Sequence, residues 1–303
     1  MKKALALILT ASLLTGVLTA CGSSEAQTDA AETTTEEAAA EETAAEETAD
    51  TDAQAETGDL QVITVAATAV PHAEILEAAK PILAEQGYDL QVTVFDDYVQ
   101  PNEVVEAGDI DCNYFQHIPY LNSYNEERGT HLVSVGEIHY EPIGIYAGTE
   151  SDLSNIPDGA DIAIPNDTTN EARALLILQD NGIITLKEGA GIDATINDIA
   201  ENPHNINFVE MEAAQVSKVL SEVAFAVING NYALDAGLNA QTDALASETS
   251  DSLAAQTYVN VVVVKEGNED NEGVKALVNV LKSDDIKKFI EETYEGAVVP
   301  FEG

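Results

Sequence analysis

Apolar, β-branched runs alternate with amphipathic segments along the chain from residue 60 onward. Residues 60–66 and 90–95 each predict a strand, because β-branched apolar residues favour an extended backbone. Between them the pattern predicts a helix that begins at Pro71, carries Ile75 on its apolar face and ends at Gly87. This strand–helix–strand order implies a right-handed crossover between parallel strands, and therefore an α/β fold.

The same alternation continues to the end of the chain. Helices are predicted near 101–107, 119–128, 170–180, 213–219, 271–282 and 284–293, and strands near 111–114, 132–135, 143–147, 161–164, 206–210, 223–228 and 258–265. Residues 60–303 form a longer stretch than usually folds around one hydrophobic core, so two lobes are predicted. We expect lobe 1 to comprise 60–145 plus 257–303 and lobe 2 to comprise 146–256, with hinge crossings near 143–147 and 258–262.

The first 21 residues predict an exported lipoprotein. Lys2 and Lys3 precede a short apolar run that ends in Leu18-Thr19-Ala20-Cys21. A positive start, an apolar core too short to span a bilayer and small residues before a cysteine are typical of a signal peptide with a lipobox. We therefore expect residues 1–20 to be removed and Cys21 to carry the lipid that anchors the protein to the outer side of the cell membrane. The alternative is an ordinary secretory signal with an incidental cysteine.

Residues 21–59 predict the lipidated cysteine followed by a disordered acidic tether. Positions 22–59 hold 13 Asp or Glu residues, no Lys or Arg, and almost no bulky apolar residue that could be buried. The formal net charge of the whole chain is −43, so the part after the tether is strongly acidic as well. Such a surface repels nucleic acid and favours solubility, which argues against DNA or RNA as a partner.

The strongest local signal for a binding site lies where a predicted strand meets a predicted helix, at residues 165–173. Asn170 and Arg173 are three residues apart in the first helical turn and therefore share a face. Free backbone N–H groups, the helix dipole and a guanidinium together favour an anion such as a carboxylate. The alternative is a routine helix cap in which Arg173 pairs with a nearby acid such as Glu171.

Aromatic and amide side chains supply further candidates. Phe115, His117 and Tyr120 lie close together in sequence and predict an aromatic binding surface for a polarisable apolar group. Ordinary packing of these side chains in the hydrophobic core would give the same pattern. Asn229 follows an apolar strand, at the edge where open α/β sheets bind ligands. Asn260 interrupts another apolar strand, and its amide needs a partner, which a ligand, water or backbone would provide.

Five motifs together resemble the methionine-binding lipoproteins of ABC importers. In chain order they are Pro71-His72-Ala73-Glu74-Ile75, Asp97-Tyr98-Val99-Gln100-Pro101-Asn102, Asn113-Tyr114-Phe115-Gln116-His117-Ile118-Pro119-Tyr120, Pro165-Asn166-Asp167-Thr168-Thr169-Asn170-Glu171-Ala172-Arg173-Ala174 and Ile228-Asn229-Gly230-Asn231-Tyr232-Ala233. The resemblance implies a two-lobed, type II periplasmic-binding-protein fold with the ligand cleft between the lobes. It also implies a monomer without a cofactor, which binds L-methionine, and D-methionine as a further ligand, and delivers it to an ABC permease and its ATPase.

The resemblance also assigns roles to individual residues. It implies that four residues contact the methionine side chain, namely Tyr98, Phe115, His117 and Tyr120. It implies that four others bind the α-carboxylate and α-amino groups, namely Asn170, Arg173, Asn229 and Asn260. Cys112 departs from the small residue that the family usually has at this position, and we expect its thiol to pack there without contacting the ligand.

Other functions fit parts of the sequence. Within the same class, the ligand is alternatively another small apolar amino acid or a methionine-containing dipeptide. An enzyme would need Cys112, His117 and Asp111 to act together, but no glycine-rich turn surrounds them, so no catalysis is expected. A metal-binding receptor would draw on scattered histidines, whose spacing matches no recognised metal motif, so no metal is expected. These histidines are His72, His117, His131, His139 and His204.

Overall fold

The computed structural model describes residues 60–249 and 256–303. The predicted signal peptide, Cys21 and the acidic tether lie outside the described residues. Among the helices of the described part, none is both long and apolar enough to cross a membrane.

Strands and helices alternate along the chain, as the hydrophobic pattern predicts. The strands are β1 (Gln61–Ala67), β2 (Tyr88–Val94), β3 (Cys112–His117), β4 (Leu132–Tyr140), β5 (Gly144–Ala147), β6 (Asp161–Pro165), β7 (Thr185–Leu186), β8 (Ile199–Glu201), β9 (Asn207–Met211), β10 (Phe225–Ile228), β11 (Ala244–Ser247), β12 (Val259–Lys265) and β13 (Val299–Pro300). The α-helices are α1 (Glu74–Glu85), α2 (Gln100–Ala107), α3 (Ile118–Arg128), α4 (Thr168–Asp180), α5 (Ala213–Val216), α6 (Gly230–Asp235), α7 (Glu272–Leu281) and α8 (Asp284–Tyr294).

The first sheet is built from both ends of the described chain. Its six strands lie in the order β13-β4-β12-β3-β1-β2. β1 pairs in parallel with β2 and β3, whereas β12 runs antiparallel to β3 and β4. Helices α1, α7 and α8 pack on this sheet, because each has one apolar face, such as that formed by Leu277 and Leu281 in α7. The resulting core includes Ile63, Val65 and Leu76, all of which are buried.

The second sheet is built entirely from the middle of the chain. Its five strands lie in the order β11-β5-β10-β6-β9, with β6 parallel to both of its neighbours. Helix α4 packs Ala172, Leu175 and Leu178 against Ile162 and Ile164 of β6. Because α4 follows β6 directly, the first turn of the helix lies at the carboxyl end of a central strand, where α/β sheets place their ligands.

The chain crosses between the two sheets at points slightly displaced from those that the sequence predicts. It leaves the first sheet at Tyr140 and enters the second at Gly144, so residues 141–143 form the first crossing. It leaves the second sheet at Ser247 and re-enters the first at Val259. The predicted segments 143–147 and 258–262 are largely strand, because their apolar residues pair inside a sheet rather than bridge two sheets.

Candidate functional site

Most of the side chains that the sequence predicts for a site lie around one pocket. Seven of the eight line it, together with four residues that the sequence analysis did not select for the site. The seven are Tyr98, Phe115, His117, Tyr120, Arg173, Asn229 and Asn260, and the four are Gln116, Glu141, Gly230 and Asn231. The space between these side chains that protein atoms do not fill is about 330 Å³, a figure that includes volume open to solvent. The eighth residue, Asn170, contacts two members of the lining through hydrogen bonds.

Both sheets contribute to this pocket. Phe115 and His117 come from the carboxyl end of β3, and Asn260 lies beside His117 on the paired strand β12. Asn229 directly follows β10 of the second sheet, and Arg173 comes from the first turns of α4. The pocket therefore lies at the junction of the two sheets.

Aromatic rings form one wall of the pocket. The ring of Tyr98 lies 5.7 Å from that of Phe115, 5.6 Å from that of Tyr120 and 4.9 Å from that of Tyr232, measured between centroids. The Tyr120 hydroxyl donates to the Tyr98 carbonyl oxygen at 3.0 Å, and the Tyr98 hydroxyl donates to Asn231 Oδ1 at 2.5 Å. These bonds fix both rings, so the wall offers a rigid, polarisable surface for an apolar group.

His117 links the aromatic wall to the amide groups. Its Nδ1 accepts a hydrogen bond from the Tyr120 backbone N–H at 3.1 Å, so its Nε2 carries the proton and donates to Asn170 Oδ1, also at 3.1 Å. Asn229 Nδ2 donates to the same Asn170 oxygen at 2.7 Å. Burial, and then the nearby charge of Arg173, lower the pKa of His117 to about 3, so its ring is neutral near pH 7.

The start of α4 holds Asn170 in place. The helix begins at Thr168, two residues before the predicted start, and Asp167 caps it by accepting from the Asn170 backbone N–H at 3.1 Å. The same carboxylate oxygen accepts from the Asn170 side chain at 2.8 Å. Asp167 is an ordinary N-cap residue by type, and here it also orients an amide that reaches the pocket.

Arg173 is buried and already paired with an acid. Its Nε donates to Glu248 Oε1 at 3.0 Å, its Nη2 donates to Glu248 Oε2, and Nη2 also donates to the backbone oxygen of Glu141 at 2.8 Å. Its guanidinium carbon lies 4.2 Å from the ring centroid of Tyr258. Burial is the largest single influence and lowers the pKa of Arg173, but the charge and hydrogen bonds of Glu248, with the neighbouring Tyr140 and Tyr258, together outweigh it, so the pKa is raised and the group is permanently charged.

This pair differs from the alternative considered from the sequence, in which Arg173 meets Glu171. Glu171 instead accepts from the Ile196 backbone N–H at 2.8 Å. Glu248 follows β11 and lies 75 residues from Arg173 in sequence, with no local pattern that marks it. Only the meeting of two distant chain segments brings this carboxylate to the guanidinium.

The acidic side chain of Glu141 also lines the pocket. Its Oε1 accepts from His139 Nε2 at 2.7 Å and lies 3.3 Å from His72 Nε2. His72 Nε2 also donates to Asn260 Oδ1 at 3.1 Å. His139 and Glu141 are two residues apart in an extended segment and therefore share a face, which is the signal that sequence analysis could have used.

Hydroxyl groups hold the Nδ1 atoms of His72 and His139, the ring nitrogens that face away from Glu141. The Thr68 hydroxyl lies 2.8 Å from His72 Nδ1, and the Tyr114 hydroxyl is hydrogen-bonded to His139 Nδ1. Burial lowers the pKa of His72 to about 4 and that of His139 to about 3, so both rings are neutral near pH 7. Burial also raises the pKa of Glu141, against the opposing effects of His72 and Arg173.

The same three side chains have the composition of a cation site. One ligand atom from each of His72, His139 and Glu141 lies within 4.8 Å of the others, and all three residues are buried. Two imidazoles and a carboxylate are ligands that zinc accepts. However, each ring nitrogen that faces Glu141 already donates a hydrogen bond to an oxygen, so the cluster is satisfied as a hydrogen-bonded network.

One buried polar atom in the pocket has no hydrogen-bond partner within the described part of the chain. It is Asn229 Oδ1, whereas Nδ2 of the same amide is bonded to Asn170. Because buried polar atoms are nearly always hydrogen-bonded in native proteins, an unpartnered acceptor in a pocket points to a donor on a ligand.

Cys112 lies away from the pocket network. Its side chain is fully buried in the core of the first sheet, with its Sγ 3.8 Å from the Thr64 backbone oxygen. Burial, and then the charge of Asp111, raise the pKa of the thiol, which disfavours the reactive thiolate. The Asp111 carboxylate accepts from Thr64, and His117 is bonded to Asn170 and Tyr120, so the hydrogen bonds of these groups give no catalytic arrangement.

Known proteins are similar to this chain in sequence and in fold. Residues 63–302 match the family model described as NlpA lipoprotein. The chain is 41% identical over 250 residues to the methionine-binding lipoprotein MetQ of Bacillus subtilis, which covers 81% of this chain and 90% of that protein.

Solved structures give the same result. A lipoprotein from Ruminococcus gnavus superposes with a TM-score of 0.79 at 67% identity, covering 80% of this chain and 100% of that one. A nutrient-binding protein from Burkholderia cenocepacia, solved bound to methionine, gives a TM-score of 0.74 at 42% identity, covering 78% of this chain and 99% of that one. The comparisons confirm the two-lobed periplasmic-binding-protein fold that the sequence predicts.

Proposed function

The chain belongs to the NlpA lipoprotein family, and we propose that it is the lipid-anchored solute-binding protein of an ABC importer, with methionine as its ligand. The observation that carries this proposal is the pocket itself, in which a fixed aromatic wall faces a guanidinium and several amides. An amino acid with an apolar side chain matches both parts of the pocket, because its side chain fits the aromatic wall and its α-carboxylate and α-amino groups fit the guanidinium and the amides. A related structure is described as bound to methionine, which supports this choice of ligand.

In this proposal the aromatic wall determines which amino-acid side chain the pocket prefers in its ligand. In this proposal the thioether lies against the rings of Tyr98, Phe115 and Tyr120, beside the imidazole of His117. Sulfur–ring contacts stabilise such an arrangement by about 0.3 to 1.5 kcal/mol each, which favours a thioether over an aliphatic chain of similar size.

The amide and guanidinium groups bind the polar end of the amino acid. Asn170, Arg173, Asn229 and Asn260 hold the α-carboxylate and the α-amino group between them. Because Glu248 already balances the charge of Arg173, the guanidinium acts mainly as a pre-oriented donor rather than as an uncompensated positive charge.

Ligand contacts from both sheets imply that binding favours the closed arrangement of the two lobes. A ligand shifts such an equilibrium only through contacts that one state makes and the other lacks. The lobes in this proposal are 60–145 plus 257–303 and 146–256, which move about the two crossings. Closure then presents a surface that the permease, in complex with its ATPase, recognises.

Lipid on Cys21 keeps the receptor close to that permease. The predicted tether is long enough to reach roughly 120 Å when fully extended, at about 3.3 Å per residue. A captured methionine is therefore released within reach of the membrane, and the receptor acts as an anchored monomer without chemical turnover.

Calorimetric titration of the full-length protein in detergent tests this function. We expect L-methionine to bind at one site per chain, and to bind more tightly than leucine or phenylalanine, which fill similar space but lack the thioether. If another amino acid binds while methionine gives neither heat nor thermal stabilisation, the methionine assignment is wrong. Mass spectrometry of the small molecule released from freshly purified protein distinguishes methionine from another apolar amino acid or a dipeptide.

A further inference from the structure

We propose that Glu141 is the charge partner of the ligand's α-ammonium group, and that the pocket therefore requires a free α-amino group on its ligand. This inference rests on the proposed function, since it concerns how the same pocket reads an amino acid. Glu141 is outside the set of residues that the sequence assigns to the site. Its position, its environment and an unpartnered neighbouring acceptor each support the role.

The position of Glu141 directs its carboxylate into the pocket. It immediately follows β4, in the first crossing between the sheets, and only 5% of its surface is exposed. A Cβ atom on Gly230 would lie 2.7 Å from Glu141 Cβ and 3.1 Å from Oε2, so only glycine allows the two segments to approach this closely. The Asn231 backbone N–H also donates to the carboxylate.

The charges around the pocket leave the Glu141 carboxylate without a cation of its own. Arg173 is the other charged group in the lining; its charge lowers the pKa of Glu141, but its side-chain ion pair and both of its side-chain hydrogen bonds to a carboxylate are with Glu248. His72 and His139 supply hydrogen bonds but no positive charge, because burial keeps both rings neutral. A buried carboxylate with no cation is unfavourable, and a ligand ammonium supplies the missing charge.

The hydrogen-bonding groups near Glu141 match an ammonium as well. An ammonium offers three donors and no acceptor. Besides Glu141, the same pocket holds Asn229 Oδ1, which is buried and has no partner within the described residues. A carboxylate and a free amide oxygen in one pocket form an acceptor-rich region, whereas Arg173 provides donors for the ligand carboxylate.

His72 and His139 position the carboxylate rather than contact the ligand. Both Nε2 atoms lie close to the same oxygen, Oε1, so the side chain is held in one orientation. The hydroxyls of Thr68 and Tyr114 fix the far nitrogen of each ring. With its supports fixed in this way, the carboxylate is preorganised for an ammonium before the ligand arrives.

The central test compares two ligands on two proteins. Full-length wild type and Glu141→Gln are titrated with L-methionine and with 4-(methylthio)butanoate, which lacks the amino group. We expect the preference of wild type for methionine to fall by about tenfold or more in Glu141→Gln, because close charge pairs couple strongly. Any general distortion of the pocket affects both ligands and cancels in the ratio. Glu137→Gln, on strand β4 that leads into Glu141 but outside the pocket lining, is the matched control and should keep the wild-type ratio.

A second measurement uses wild type alone, in case Glu141→Gln does not fold. The hydroxy analogue of methionine has nearly the same shape but no positive charge, and we expect it to bind at least about tenfold more weakly than methionine. Equal binding of the two ligands, or an unchanged ratio in Glu141→Gln, overturns the role of Glu141 while leaving the proposed function intact. Stoichiometric metal in purified protein would also overturn it, by assigning Glu141 to a cation. If wild type fails to bind methionine but binds another amino acid, it is the methionine assignment that fails.

Discussion

Glu248→Ala removes the acid that balances the charge of Arg173. Both groups of this pair are almost fully buried, with side-chain exposures of 4% for Arg173 and 10% for Glu248. The substitution also removes the acceptor for the Tyr140 hydroxyl and the Ile143 backbone N–H, which Glu248 bonds at 2.5 Å and 3.1 Å. Donor groups on three residues, Arg173, Tyr140 and Ile143, therefore lose their common partner.

The expected loss of stability follows from this burial. Removing one partner of a buried ion pair costs about 3 to 5 kcal/mol, because it leaves an uncompensated charge in the interior. The other arginine provides the matched control, since Arg128 pairs with Glu103 at 3.6 Å while both side chains are about half exposed. Glu103→Ala should therefore lower the free energy of unfolding by only about 0 to 1 kcal/mol.

Urea denaturation of the full-length protein without added ligand, followed by far-UV circular dichroism, measures both losses. The comparison uses variants of equal m-value, so that a shift in the midpoint reports stability. If Glu248→Ala and Glu103→Ala destabilise the protein equally, the pair contributes no more than a surface contact and the reasoning from burial is refuted. A double variant that replaces both Arg173 and Glu248 with apolar residues should be more stable than Glu248→Ala, because no charge remains unpaired.

Two further predictions follow from the same pocket. Burial lowers the pKa of His117 and His139 to about 3. In the unfolded chain each of these imidazoles binds a proton from about pH 6.5 downward, whereas in the folded protein it stays neutral. The free energy of unfolding should therefore fall by about 2 kcal/mol for each ring between pH 7 and 5. A urea midpoint that stays constant across this range would contradict the buried neutral rings. Gly230→Ala places a Cβ 2.7 Å from that of Glu141, so methionine affinity in calorimetry should drop by about tenfold or more, as small misplacements in a preorganised site are costly. Gly191→Ala, where nothing lies within 4 Å, should bind as wild type does, and equal affinities in both variants would show that the close approach is unimportant.

The eight predicted site residues illustrate what local sequence reveals. Seven line one pocket and the eighth is bonded to it, although their individual roles stay predictions. Seven of them stand at visible features of the local pattern, such as the polar turn before Asn170 or Asn260 within an apolar strand, whereas Tyr98 was predicted only through the family resemblance. Strand ends and helix starts are encoded by neighbouring residues, so they can be read without a structure.

Glu141, Glu248 and His72 show where that reasoning stopped. Acidic residues are abundant in this chain, so neither glutamate stands out from the composition. Glu248 gains its role from a guanidinium 75 residues away, and His72 from an amide 188 residues away. No local pattern encodes which distant side chain will be the partner.

The sequence by itself determined the α/β class, the alternation of strands and helices, and the stretches that bear the site. These properties follow from short-range rules of periodicity, capping and turn chemistry. The tertiary structure alone decided where the chain crosses between its sheets, which acid pairs with Arg173 and which histidines hold Glu141. Those outcomes depend on burial, because removing charged and polar groups from water makes each require a partner, and the fold determines which one is within reach.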